Sequence, residues 1–154
     1  MFIAKNNDLI ILAKDTREEL EQALGFMVYT SIEETDIEYQ LYNGEYLTPE
    51  EIAVKERERL NKLSLTKREV FLALLNDKGI TPDQIKEYIK DPASLIEFEY
   101  ANDYFRGNPL IDAIGQALGY SSEQLDYLFE HKEFPEPTVE PTEEEDETTT
   151  DTDI

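Results

Sequence analysis

Five times along this chain a Ser or Thr stands three places ahead of a Glu or Gln at the head of a run with helical apolar spacing. The five are Thr16-Arg-Glu-Glu19, Thr48-Pro-Glu-Glu51, Thr66-Lys-Arg-Glu69, Thr81-Pro-Asp-Gln84 and Ser121-Ser-Glu-Gln124. In each, the hydroxyl is placed to accept from the third residue's N–H while that residue's side chain bonds back to the cap, so each marks a helix start. Three carry an apolar pair across the cap as well: Leu65 with Val70, Ile80 with Ile85, and Tyr120 with Leu125. Asp91-Pro92 and Asn108-Pro109 add two starts with proline at the first helical position. Gly25, Gly79, Gly107 and Gly119 follow helix ends. This punctuation predicts a short helix between Thr16 and Gly25, then helices near 49–63, 67–77, 82–90, 92–105, 109–118 and 122–130.

The first third of the chain also carries period-two signals. "MFIA" and "LIILA" flank Lys5-Asn6-Asn7-Asp8 and predict a β-hairpin. In "IEYQLYNGEYL", Ile37, Tyr39 and Leu41 alternate with polar or amphipathic neighbours ahead of Asn43-Gly44, a pair suited to a type I′ turn. Phe26–Tyr29 is ambiguous, with pairing as a strand one option. The expected fold is α+β: a small hairpin–helix–hairpin unit over 1–47, then a helical domain over 48–131 made of five to six short helices. An offset of 40 residues sets Gly79 on Gly119, Thr81 on Ser121 and Ile85 on Leu125, which reads as two similar helix hairpins rather than a solenoid, since a solenoid needs three or more repeats. Residues 132–154 form an acidic tail. From Phe134 it holds three prolines, a Glu/Asp cluster and one aromatic, too little apolar surface to offset ordering entropy, and is expected to be disordered.

The stretch "SLTKREVFLALLNDKGITPDQIKEYI" has the outline of a DNA-binding helix-turn-helix, and charge argues against that use. The chain carries 36 acidic and 14 basic residues, a net of −22. Residues 1–131 alone net −13 and residues 132–154 net −9. A body this negative repels phosphate backbones. A recognition helix presents basic and amide side chains, yet residues 82–91 hold three acids against two lysines and residues 122–133 four against one. Lys67, Arg68 and Lys90 read as dispersed. The helix pairs are therefore expected to serve packing, with no direct nucleic-acid contact.

Catalytic grammar is equally thin. There is no cysteine, which excludes disulfides, thiol nucleophiles and Cys-ligated metals. His131, the one histidine, sits where the last helix meets the tail, suited to a helix C-terminus. No phosphate-binding glycine run appears. Carboxylate pairs such as Glu18/Glu19 and Asp83/Glu87 are too common here to single out a site, and spread acids of this kind are ordinarily a solvated face. "EEEDETTTDTD" lacks the loop glycine and spacing of an EF-hand. The expectation is a protein that is not an enzyme and has no cofactor or metal. No apolar run is long enough for a membrane span, and the N-terminus lacks a basic region and cleavage site, so no signal peptide is expected.

The aromatics are the candidate binding residues. Tyr39, Tyr42 and Tyr46 surround Asn43-Gly44 on a hairpin expected to be exposed, whose free edge suits strand addition by a partner. On the expected 92–105 helix, Ile96, Tyr100 and Tyr104 form one stripe and Phe98, Ala101 and Phe105 another. Two stripes fit a central core helix, the favoured reading, or a tyrosine-bearing docking surface on which Tyr100 and Tyr104 meet a protein partner.

Four pieces, "FIAKNNDLIILAKDTREELEQAL", "LYNGEYLTPEE", "LTKREVFLALLNDKGITPDQI" and "YFRGNPLIDAIGQALGYSSEQLDYLFE", together resemble small uncharacterised proteins of bacteriophages and prophages encoded near tail or tail-fibre genes. The resemblance covers roughly residues 1–130 and carries no catalytic residues. It implies a phage setting: a tail or tail-fibre assembly or virion-associated factor that binds another phage protein. Net acidity suggests the alternative of a nucleic-acid mimic that inhibits a host defence nuclease, as an anti-CRISPR or anti-restriction protein. Either is expected in the host cytoplasm, the first also in the virion.

Overall fold

The computed structural model describes residues 1–137. β1 (Phe2–Asn6) and β2 (Leu9–Lys14) form the expected first hairpin, with Asn7 at φ 55° in its turn. Thr16 caps α1 (Arg17–Leu24), whose Leu20 and Leu24 bury themselves beside Ala4, with Phe2, Ile11, Leu12 and Ile32 packed around them. A third strand, β3 (Ser31–Glu34), pairs antiparallel with β1, giving the order β2-β1-β3. Phe26–Tyr29 is therefore not the strand. The peptide N–H of Met27 turns back to the Leu24 carbonyl at 2.8 Å, and pairing with β1 begins only after the Thr30 N–H meets the Lys5 carbonyl at 2.6 Å.

β4 (Gln40–Tyr42) and β5 (Glu45–Leu47) make the second hairpin as a separate two-stranded sheet. Asn43 and Gly44 sit at φ 48° and 87°, the two positive values a type I′ turn requires. Ile37 and Tyr39 lie outside its strands, so the pairing is shorter than the alternation of residues 37–41 suggests.

From residue 48 the chain runs through α2 (Pro49–Asn61), β6 (Ser64–Thr66), α3 (Lys67–Lys78), α4 (Pro82–Tyr88), α5 (Pro92–Tyr100), β7 (Asp103–Phe105), α6 (Pro109–Ala117) and α7 (Ser122–His131). All five capping boxes close, each hydroxyl accepting from its third residue. The two helix pairs related by the 40-residue offset are α3–α4 and α6–α7, and their turns meet. The Tyr120 hydroxyl donates to Asp77 at 2.6 Å, and the Lys78 ammonium lies 4.0 Å from the Tyr120 ring centre.

The expected 92–105 helix stops at Tyr100. Ala101 turns extended at ψ 138°, and residues 103–105 pair antiparallel with β6, Leu65 opposite Tyr104. Both members of that pair are buried. The aromatic rings of Phe71, Phe98 and Tyr104 then pack together with centroids 5.5 to 6.4 Å apart. They belong to a larger apolar cluster with Val70, Leu74, Ile85, Leu110, Ile111, Ile114, Tyr120, Leu125, Leu128 and Phe129. Each large apolar side chain fully buried there contributes on the order of 1.5–3 kcal/mol.

The tail expected to be disordered from Phe134 lies outside the described residues from 138 onward. Its first residues depart from expectation: Phe134 stacks on Tyr120 with ring centres 4.2 Å apart, and Lys132 donates to Glu69 at 2.7 Å.

Candidate partner-binding site

Sequence reasoning named five tyrosines, and the structure scatters them. Tyr104 is 2% exposed, its hydroxyl donating to the Phe98 carbonyl at 2.6 Å, and burial followed by the charge of Glu97 pushes it up to about 12. It stands in the core and is removed from the docking candidates, because the strand pairing with β6 turns it inward. Tyr100, at the end of α5, is 77% exposed. Tyr42 turns to α2, its hydroxyl donating to Glu56; that bond raises the phenol and lowers the carboxyl. Tyr46 pairs with Leu41 and so lies on the opposite face of the hairpin from Tyr42. Tyr39 sits ahead of β4, its peptide N–H directed at the Met1 sulfur at 3.2 Å. No common surface gathers them.

What the structure does gather is apolar and lies elsewhere. Gly25, at φ 51°, ends α1, and the four residues that follow carry their side chains into solvent: Phe26 fully, Val28 at 78%, Met27 and Tyr29 about half. The segment's far end is fixed, since the Thr30 hydroxyl donates to the Lys5 carbonyl at 3.1 Å and accepts from the Asn7 N–H at 2.9 Å. That places it at the same end of the sheet as Leu9, 65% exposed and paired with Asn6 beside the first turn. Five large exposed apolar side chains are thus carried by two segments anchored at one end of the N-terminal sheet. Isolated exposed apolar residues are ordinary, whereas a contiguous run is a mark of an interaction surface.

The neighbouring edge fits the same use. β3 is the outer strand of its sheet, and among the described residues nothing pairs with its outer side. It carries Glu33 and Glu34. Glu33 accepts from Lys5 at 2.8 Å, and that bond, with one from Ser31, lowers its carboxyl. Acidic residues on an open edge discourage pairing between two copies of the chain and leave the edge compatible with a partner strand of opposite charge.

Arg106 is the other feature that sequence reasoning passed over. It is 2% exposed. Its Nε donates to Asp126 at 2.6 Å, and its two terminal nitrogens donate to Asp112 at 2.8 Å and to the Ser122 hydroxyl at 2.8 Å. Asp126 also accepts both terminal nitrogens of Arg57, at 3.0 and 2.9 Å. Burial works against its charge, but the hydrogen bond from Arg57 and the charge of Arg106 prevail and hold its carboxyl below the usual range. Among the described residues no buried side-chain nitrogen or oxygen lacks a partner, and the network joins α2, α6 and α7.

Among the described residues no three His, Asp or Glu side chains converge to hold a metal ion, and no helix is long and apolar enough to cross a membrane. Comparison with protein-family models, curated proteins and solved structures finds no match to this chain.

Proposed function

We propose that this protein acts by binding another protein, without catalysis of its own, and that the apolar projection of Leu9 and Phe26–Tyr29 is the part that engages the partner. The observation that carries the reading is the set of five large apolar side chains left in solvent at one end of the sheet. The sequence resemblance supplies the setting, so the partner proposed is a component of phage tail or tail-fibre assembly, met in the host cytoplasm or in the virion. An aromatic anchor in such a patch is worth about 2 kcal/mol or more, roughly 30-fold in affinity.

The test is affinity purification of the tagged chain from phage-infected cells at low and moderate salt, beside a variant carrying Phe26→Ser and Val28→Ser. Tail proteins recovered at both salts by the native chain and lost by the variant support the reading. Equal recovery by both chains would remove the projection from the binding surface. Since both side chains are exposed, the variant is expected to keep the native unfolding midpoint.

A second reading, an acidic nucleic-acid-mimicking inhibitor of a host defence nuclease, is favoured by one observation. Most bases in the described residues are already matched to carboxylates, as in Lys5–Glu33, Arg17–Glu21, Lys55–Glu45, Arg59–Glu130 and Arg106–Asp126. The remaining acids outnumber the unmatched bases and leave a net negative field. Binding by that field weakens steeply with ionic strength, whereas apolar contact does not. Recovery of a host nuclease that is lost at moderate salt would favour mimicry.

A further inference from the structure

Between α3 and α4 lies an open groove of about 500 Å³ lined by Phe71, Leu72, Leu75 and Pro82, with Lys67 and Arg68 at its edge. Leu72 and Leu75 are 42% and 48% exposed. A second hollow, sharing Lys67, Phe71 and Pro82, adds Lys86. In a chain of net charge −22 this is an unusual place: bases read from the sequence as dispersed are brought together around apolar side chains. Lys86 is held by Glu99 at 2.8 Å, but its two neighbours are not matched to acids. The Lys67 ammonium donates to the backbone carbonyl of Glu99 and lies over the Phe71 and Phe98 rings. Arg68 forms no ion pair among the described residues.

The chain after α7 runs back along α3 toward this groove. Lys132 reaches Glu69 on α3, Phe134 stacks on Tyr120, and residues 134–137 border a hollow with Leu72, Ala73 and Asn76. Leu72 belongs to both that hollow and the groove, so the two occupy adjoining strips around α3. At Pro137 the chain thus borders the hollow that adjoins the groove. The 17 residues that follow hold eight acids and no base, and their contour, up to roughly 56 Å at about 3.3 Å per residue, is ample to cross it.

We propose that the acidic segment 138–154 docks within its own molecule on the α3–α4 groove, its Glu143–Glu147 cluster against Lys67 and Arg68, and shields that surface from other acidic chains. The proposal is separate from the apolar projection, which lies on the N-terminal sheet. Tethering gives the segment an effective concentration on the order of millimolar, enough for weak ionic contacts to hold it.

Because the chain has no cysteine, Thr148→Cys creates one site for a nitroxide label in the full-length protein. Paramagnetic broadening of backbone amides is then read at low salt. Strongest broadening at Arg68, Leu72 and Leu75, lost at about 1 M salt where the Debye length is near 3 Å and lost in Arg68→Glu, is the expected result. Broadening that only declines with sequence distance from Pro137, or that peaks at Lys14 or Lys62 instead, overturns the proposal. A second measurement adds a synthetic peptide of residues 138–154 to the native chain and to one with Glu143, Glu144, Glu145 and Glu147 changed to Gln. Groove amides are expected to shift in the variant and barely in the native chain. Equal shifts in both would mean that the groove stands open, an acidic segment of some partner being its occupant, and the proposal fails.

Discussion

Arg106 donates to Asp126, Asp112 and Ser122 from a site with almost no solvent, and removing one member of a buried ionic set leaves the others uncompensated. Arg106→Leu is expected to cost about 3 kcal/mol of unfolding free energy, measured by denaturant titration, with Asp126 still holding Arg57. Arg106→Lys is expected to recover little of it, because an ammonium cannot reproduce the planar fork. Nothing in the chain announces this residue: its partners lie 6, 16 and 20 positions away, with no periodicity to link them. Glu69, by contrast, was legible as the third residue of a capping box, but not as the partner of Lys132. The bond from Lys132, then those from the Thr66 N–H and hydroxyl, hold its carboxyl down to about 2 from 4.5. A depressed carboxylate contributes stability that is present above 4.5 and lost as pH falls toward about 2. Glu69→Gln keeps a cap acceptor and loses the charge, so melting temperatures of variant and native chain are expected to converge across that acidic interval. A difference that persists unchanged below it would assign the effect to the cap instead.

Among elements, legibility followed the reach of the forces involved. Helix starts were written in four-residue signatures and appear where those signatures put them; Asn43-Gly44 turns where expected, and the first turn narrows to Asn7-Asp8 within the expected Lys5–Asp8. Among the missed elements, β6 and β7 are three residues each and pair across nearly forty positions. Helical spacing at Ile96, Tyr100 and Tyr104 extended the apparent helix over β7, and the ladder with β6 competed successfully for the backbone of 103–105. The apolar projection was missed for a related reason, since "FMVY" has the composition of a buried strand and only the order β2-β1-β3 shows that the sheet closes without it. The packing of α6 on α7 was not legible either. A Cβ at Gly115 would stand 2.5 Å from a Leu125 methyl. Gly115→Ala is expected to cost about 1 kcal/mol, since overpacking outweighs the gain in helix propensity. Adding Leu125→Val should relieve the clash, and a double-mutant cycle without positive coupling would contradict that account.

At the scale of the whole molecule, the acidic balance and an α+β fold of short helices with small antiparallel sheets could be read from composition and punctuation. The site could not, because exposure is a property of the assembled surface. The described residues hold two apolar clusters with no buried member in common, one around Leu20 and one around Phe98. Between them runs α2, which has no buried residue. It is held to the second hairpin by Tyr42–Glu56 and Lys55–Glu45, and to α7 by Arg57–Asp126 and Arg59–Glu130. Arg57–Asp126 is part-buried with the Arg106 network, whereas the more exposed pairs contribute about 0–1 kcal/mol each and weaken as salt rises. Local opening therefore has a natural starting point. In native-state hydrogen exchange the amides of α2 are expected to exchange ahead of those in α3, α6 and α7, by a margin that widens with salt. Salt then works on this molecule as on a clutch: it eases the ionic ties of α2 to its neighbours, while the two apolar clusters, which owe little to charge, stay packed.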